Sequence, residues 1–427
     1  MEKIQELTKA LNGEKLSERL EALTELVSME KRGEIETVPA TEDVNNHIHT
    51  WYSFSPYSPT KAVWLAKRAG LATAGIMDHD SISGAAEFRA AANIAGIMAT
   101  SGAEIRVTFG GEKFSDRRIN NPDQTGVAYM TLHAVPECGR NALREYLVPV
   151  SAARGERNLA MVERLNAVAE CAGVSVDYKK DVLPLSKAHE GGSVTERHIL
   201  YALSRALTQK YGRGAGLISV LTEKLGLEIG AKNLSWLSDS ENPGYEYDVL
   251  GVLKSGLVSK FYVNAGKTEC PDAADAVALG RRIGAIPAYA YLGDVVSSVT
   301  GDKKAQTFED GYISELFAEL KRANYGAVTY MPSRNTAEQL SRVRRMCEEN
   351  NLFQISGEDI NSPRQSFVCT AARAPEFENL RVAAYALIGS ENAAFADPAL
   401  SFTSEKAEKE YPKTADRAAA FAEKAVN

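Results

Sequence analysis

The 427-residue sequence is as informative in what it lacks as in what it carries. Its five cysteines (Cys138, Cys171, Cys270, Cys347 and Cys369) are scattered, odd in number and without a CxxC pair. That argues against a disulfide framework or a cysteine-rich zinc site and fits free thiols in a reducing compartment. There is no basic surplus. The formal charge is −7, so a nucleic acid polymer is a poor candidate for the main partner, because nothing in the overall balance displaces its counterions. No apolar run approaches the ~20 residues that cross a bilayer. The start, "MEKIQELTKALNGEKLSERL", is acidic from position 2 and has no apolar block of the secretory kind. The expectation is a cytoplasmic protein with no membrane partner. Neither GxGxxG nor GxxxxGK[ST] occurs, which argues against a nucleotide triphosphatase of the P-loop type. Histidine is scarce too, with six in the chain.

What is present suits a soluble α/β protein. Hydrophobic residues make up 44% and charged residues 25%, ordinary values for a chain that buries a large core. The length suits one large domain with insertions, or two domains. Residues 1–43 read as an N-terminal helical extension broken at Asn12-Gly13. Leu16, Leu20, Leu23 and Val27 share one face of its second helix. That stripe packs on the main body or on a second subunit, which leaves a homodimer open. Residues 44–139 alternate short apolar runs with amphipathic helices ("AVWLAKRAG", "LATAGIMDHD", "GAAEFRAAANIAG", "IMATSGAEIRVTF"), the signature of βαβ units and a parallel sheet or barrel. Residues 140–275 read as a helical insertion. Alternation resumes over 276–375, and 376–427 form a C-terminal helical segment.

The chemistry-bearing residues gather where apolar runs end, the edge at which α/β active sites assemble. "NNHIHTWYSFSPYSP" places His47 and His49 two apart, on one face of a strand, where both imidazoles can reach one metal ion. An HxH alone is a weak signal. It gains weight because His79 in "MDHD", Glu104 in "SGAEIR", His133 in "YMTLHAVP" and Asp359 in "SGEDIN" close the runs that follow. Convergence of these groups points to a metal centre, although a single acid in a loop is usually a cap or a solvated charge. Arg197 and His198 in "SVTERHIL" stand at a helix start. They are either solvated helix-start groups or an anion site. Arg334 in "MPSRNT" and Arg364 in "NSPRQSF" follow strand ends, where a guanidinium is either solvated or holds a phosphoryl group. His189 in "KAHEGG" reads as merely exposed.

These motifs resemble the PHP (polymerase and histidinol phosphatase) domain, a family of metal-dependent phosphoesterases. The resemblance covers roughly residues 44–370 and rests on "HIHTWYSFSPYSP", "GLATAGIMDHDSISGAAEF", "GAEI", "LHAV" and "GEDIN". It extends to "ARGERNLAMVERLNAVAECAGVSVD" and "TERHILYAL" in the insertion. It implies a distorted (β/α)7 barrel, TIM-like in character, with a helical insertion and extra N- and C-terminal helices. It also implies one to three divalent ions, manganese, iron or zinc. His47, His49, Glu104 and Asp359 match the ligands of the first metal, with Glu104 expected to bridge. His79 matches a ligand of a second metal and His133 a ligand of a third. The pattern departs at three positions. Phe54 stands where an Asp is often found, Tyr291 where a His is expected, and Asn361 where the final D-x-H has His. Those replacements put a full trinuclear site in doubt, leaving one well-made site and a second that would need help from His79, His198 or Asp294.

The implied function is a hydrolase of a small phosphorylated substrate, a mono- or diester of a metabolite or nucleotide. Metal-bound hydroxide would be its nucleophile. His79 or His133, if free of metal, would protonate the leaving group, and the insertion's Arg197 and His198 would contact phosphate. Two rivals are a catalytically impaired metal-binding protein that holds a phosphorylated ligand, and a one-metal amidohydrolase.

Overall fold

The computed structural model describes residues 2–110, 113–295 and 306–425. Helices α1 (Glu2–Ala10) and α2 (Leu16–Lys31) form the N-terminal extension. α2 lies on α3 (Pro59–Arg68) and α4 (Ala85–Ala95) and buries Ala22, Leu23, Leu26 and Val27. Leu16 is exposed and Leu20 half-buried, so the apolar face is rotated from the one expected. Because that face is covered within the chain, it offers no support for a dimer.

Seven strands follow: β1 (Val44–Ile48), β2 (Thr73–His79), β3 (Met98–Thr108), β4 (Val127–His133), β5 (Ile286–Ala290), β6 (Ala327–Tyr330) and β7 (Phe353–Ser356). They pair in chain order in one curled sheet. α3 shows how local chemistry places them. Ser58 caps its start by accepting from the Lys61 N–H, Pro59 opens its first turn, and Gly70 at φ 81° turns the chain toward β2. The β1–β2–β3 and β5–β6–β7 pairings are parallel. β4 is antiparallel to both neighbours, a departure from the parallel sheet expected. The reason lies in the connection. The described residues between β3 and β4 hold no helix, and without a crossover helix a strand returns antiparallel. Beyond β7, Ile360 bridges to Ile48 of β1. The two edges of the sheet thus meet at one bridge, and among the described residues no continuous ladder joins them.

The insertion consists of α5 (Arg140–Ala169), α6 (Glu196–Tyr211), α7 (Ala215–Ser219), α8 (Ala231–Ser238) and α9 (Tyr245–Phe261). It has a core of its own, centred on Leu165, Leu203, Leu253 and Phe261. Its first helix serves two cores: Leu143 and Leu147 pack on the sheet, while Met161 and Leu165 pack in the insertion. Helices α10 (Ala273–Arg282), α11 (Ile313–Arg322) and α12 (Ala337–Glu349) precede β5, β6 and β7. The C-terminal α13 (Glu378–Ala393), α14 (Glu405–Glu410) and α15 (Thr414–Glu423) close the chain. The fully buried Glu391 of α13 accepts from the Ser101 N–H of β3 at 2.7 Å and pairs with Arg140 at 3.0 Å. None of the described helices is long and apolar enough to cross a membrane.

Candidate metal centre

His47 and His49 leave β1 side by side, with their Nε2 atoms 3.2 Å apart. β2 and β3 run parallel in a register that sets His79 opposite Glu104. Glu104 Oε2 lies 3.7 Å from each of those Nε2 atoms and 2.9 Å from His79 Nδ1. Asp359 arrives from the chain after β7 because the Ile360 backbone locks onto β1, donating to His47 O and accepting from the His49 N–H. Its Oδ1 stands 3.3 Å from His49 Nε2. Four of the sequence-predicted ligands are thereby brought together, with His79 beside them.

A polar layer beneath fixes the imidazole of His49. The Ser53 hydroxyl donates to Asp78 Oδ1 at 2.7 Å, while the Thr50 N–H and hydroxyl also bind that carboxylate. Having given its one proton to Asp78, Ser53 faces His49 Nδ1 as an acceptor at 3.2 Å. Nδ1 then carries the hydrogen and Nε2 turns a lone pair to the cluster. Ser53 and Asp78 were not among the predicted site residues. The i, i+4 relation of Ser53 to His49 and the "MDHD" run are the signals that mark them.

Electrostatics fit this arrangement. Burial and the neighbouring His79 and His47 charges hold His49 well below the ordinary imidazole range. Burial opposes charge on Glu104 as well, but His79 and His47 outweigh it and keep the carboxylate ionised. Burial likewise disfavours the His47 cation, yet Glu104, Asp359 and Asp78 together raise its pKa. Backbone strain sits alongside: Asp80, directly after His79, holds φ at 47° and is pinned by an ion pair to buried Arg154.

The donor set fits a divalent cation. Donors about 2.1 Å from a common ion stand roughly 3.0–3.4 Å apart, close to the 3.2 Å between His47 and His49 and the 3.3 Å between His49 and Asp359. Among the described residues, His47, His49 and Glu104 form the group of three whose donor atoms lie within 4.8 Å of one another. Asp359 Oδ1 is buried without a hydrogen-bond partner, an orphan of the sort a cation satisfies.

The other predicted residues lie outside this group of donors. His133 pairs with Ile286, the first residue of β5, because β4 is antiparallel. Along β4 it lies two residues from Thr131, the partner of Glu104 on β3, and the His47 and Glu104 charges both act on it, so it stands near the cluster although its strand runs the other way. It is fully buried, with both ring nitrogens unpartnered. Burial, then the His47 charge, pushes it down to about 3. A neutral imidazole of that kind is a poor proton donor. His198 is also buried, and its Nδ1 accepts from the Thr195 N–H at 3.0 Å, capping α6. His189 is exposed, and Asp294 accepts from the Phe308 N–H.

The three replaced positions have other work. Phe54 packs against His198, Tyr201 and Tyr247 of the insertion. The Tyr291 hydroxyl donates to Asp310 at 2.6 Å. Asn361 donates to Asp359 Oδ2 at 2.7 Å and accepts from Arg197 Nη1 at 2.6 Å.

A cavity of about 560 Å³ opens beside Asp359, under α8 and α9 and over the loops that follow β6 and β7. Arg197, Lys254, Arg334 and Trp236 are among its lining residues. Arg364 also lines it, but its guanidinium is held by Asp248 at 2.7 Å and stacks over Trp236.

The fold and centre together define an α/β protein with a buried His–His–Glu cluster at a strand edge. In overall fold it is similar to a crystal structure from Bifidobacterium adolescentis described as a "putative metal-dependent phosphoesterase", with 19% identity, 76% of this chain and 90% of that chain covered, and a TM-score of 0.50. An amidohydrolase from Chromobacterium violaceum, with bound sulfate and no metal, gives 17% identity, coverage of 76% and 89%, and a TM-score of 0.48. At 19% identity the first likeness bears on the fold alone. No family model matches the chain, and no curated protein does.

Proposed function

We propose that this chain is a metal-dependent hydrolase of phosphate esters, acting in the cytoplasm on a mono- or diester of a small metabolite or nucleotide. The observation that carries this reading is the juxtaposition of the buried cluster with a cavity lined by Arg197, Lys254 and Arg334. The curl of the sheet and the Ile48–Ile360 bridge support its description as a distorted (β/α)7 barrel of the PHP kind.

His47, His49, Glu104 and Asp359 would hold the cation, with manganese, iron or zinc suited to this nitrogen and oxygen set. A divalent cation held there would supply a more acidic water and a Lewis acid for a phosphoryl oxygen. Ser53 and Asp78 keep His49 in the tautomer that binds. Arg197 and Arg334 orient the phosphoryl group from the cavity side. His79, the more exposed imidazole at the centre, passes a proton to the leaving oxygen.

The test is phosphate release from a panel of mono- and diesters, run with added manganese and alongside elemental analysis of the purified protein. Metal-dependent release is expected. A metal-loaded protein that releases no phosphate from any ester would favour the second reading, a phosphorylated-ligand binder, to which the reassigned Phe54, Tyr291 and Asn361 lend weight.

A further inference from the structure

We propose that the centre takes a single divalent cation and that Arg197, held in place by Asn361, supplies the second positive charge facing the substrate anion. This rests on the hydrolase reading above. The two oxygens of Asp359 are divided between different tasks. Oδ1 is buried, unpartnered and directed at His49. Oδ2 is already taken by the Asn361 amide. The orientation of that amide is not free, since Arg197 can only donate and an ionised Asp359 can only accept. A flipped amide would face donor with donor and acceptor with acceptor.

The surrounding loop holds Asn361 in turn. Its N–H donates to Gln365 Oε1 at 2.7 Å, and Gln365 Nε2 donates to Asp359 O at 2.9 Å. A second cation on Oδ2 would have to displace this amide and stand against the guanidinium behind it. It would find His79 beside Glu104, but among the described residues no second group of three donors comes within 4.8 Å, and Phe54 is committed to the insertion core. What replaces the cation is a planar, permanently charged donor from the first turn of α6, lining the same cavity as Asp359. Arg197 therefore binds the anion, and Asn361 is a positioning residue that aims it.

Calorimetric titration of the metal-stripped, full-length protein with Mn²⁺ tests the cation count, and inorganic phosphate added to the Mn²⁺-loaded protein tests the arginine. The expected result is one Mn²⁺ per chain. Arg197→Met should keep that stoichiometry and weaken phosphate binding about tenfold or more. Arg197→Lys, which keeps the charge without the fork, should show a smaller loss and serves if the Met variant does not fold. Asn361→Ala should weaken phosphate binding in the wild-type background and add nothing in the Arg197→Met background, a non-additivity that a merely structural role does not produce. Two or more ions per chain, unchanged phosphate affinity in the arginine variants, or additive losses in the double variant would overturn this inference and leave the hydrolase reading standing. No Mn²⁺ binding at all would overturn both.

Discussion

At the scale of single residues, the centre depends on which atom of His49 carries the hydrogen. Ser53 can accept from Nδ1 only because Asp78 takes its own proton. Outer partners of this kind typically govern metal affinity by about 10–100-fold, and Ser53→Ala should lower Mn²⁺ affinity within that range, as read by calorimetry. An unchanged affinity would mean that His49 finds its tautomer unaided. His47, His49, Glu104 and Asp359 were legible in the sequence because their chemistry is uncommon and each closes an apolar run. Asn361 was legible only as a departure from a pattern. Its partner Arg197 lies 164 positions away, and a hydrogen bond across that separation exists only once the insertion has folded over the sheet.

At the scale of elements, the helices and strands followed from periodicity, while strand direction did not. An apolar run reads the same in either direction, so β4 looked like its neighbours and its reversal was not foreseen. The missing helix between β3 and β4 was the available clue. Packing between helices is equally hidden from pattern. Gly389 of α13 faces α15 so closely that an added Cβ would lie 1.7 Å from Phe421 O. Gly389→Ala should therefore push α15 away and cost about 1–3 kcal/mol, measured by urea unfolding. A variant as stable as wild type would show that the two helices can separate freely.

For the whole molecule, burial sets a pH dependence. His133 and His198 are each pushed down to about 3, mainly by desolvation, whereas in the unfolded chain each titrates near ~6.5. The unfolded state therefore takes up protons first. The stability these groups confer is complete above ~6.5 and falls as pH drops toward 3. Metal-free protein should lose on the order of 2 kcal/mol between pH 6 and pH 5, with the slope reduced in His198→Asn. A flat profile over that interval would contradict the buried, neutral state of both rings.

Helix α5 gives the molecule a further property. Its first half belongs to the sheet's core and its second half to the insertion's, while Phe54 crosses the other way from the β1 loop into the insertion. The insertion is consequently not a cassette. Exchanging it with a homologous segment at its apparent start, Arg140, would strip Leu143 and Leu147 from beneath the sheet and leave Phe54 without its socket. A graft that succeeds would have to be joined within α5 itself and carry a matched residue at position 54, so any divergence of the cap is tied to the strand edge it covers.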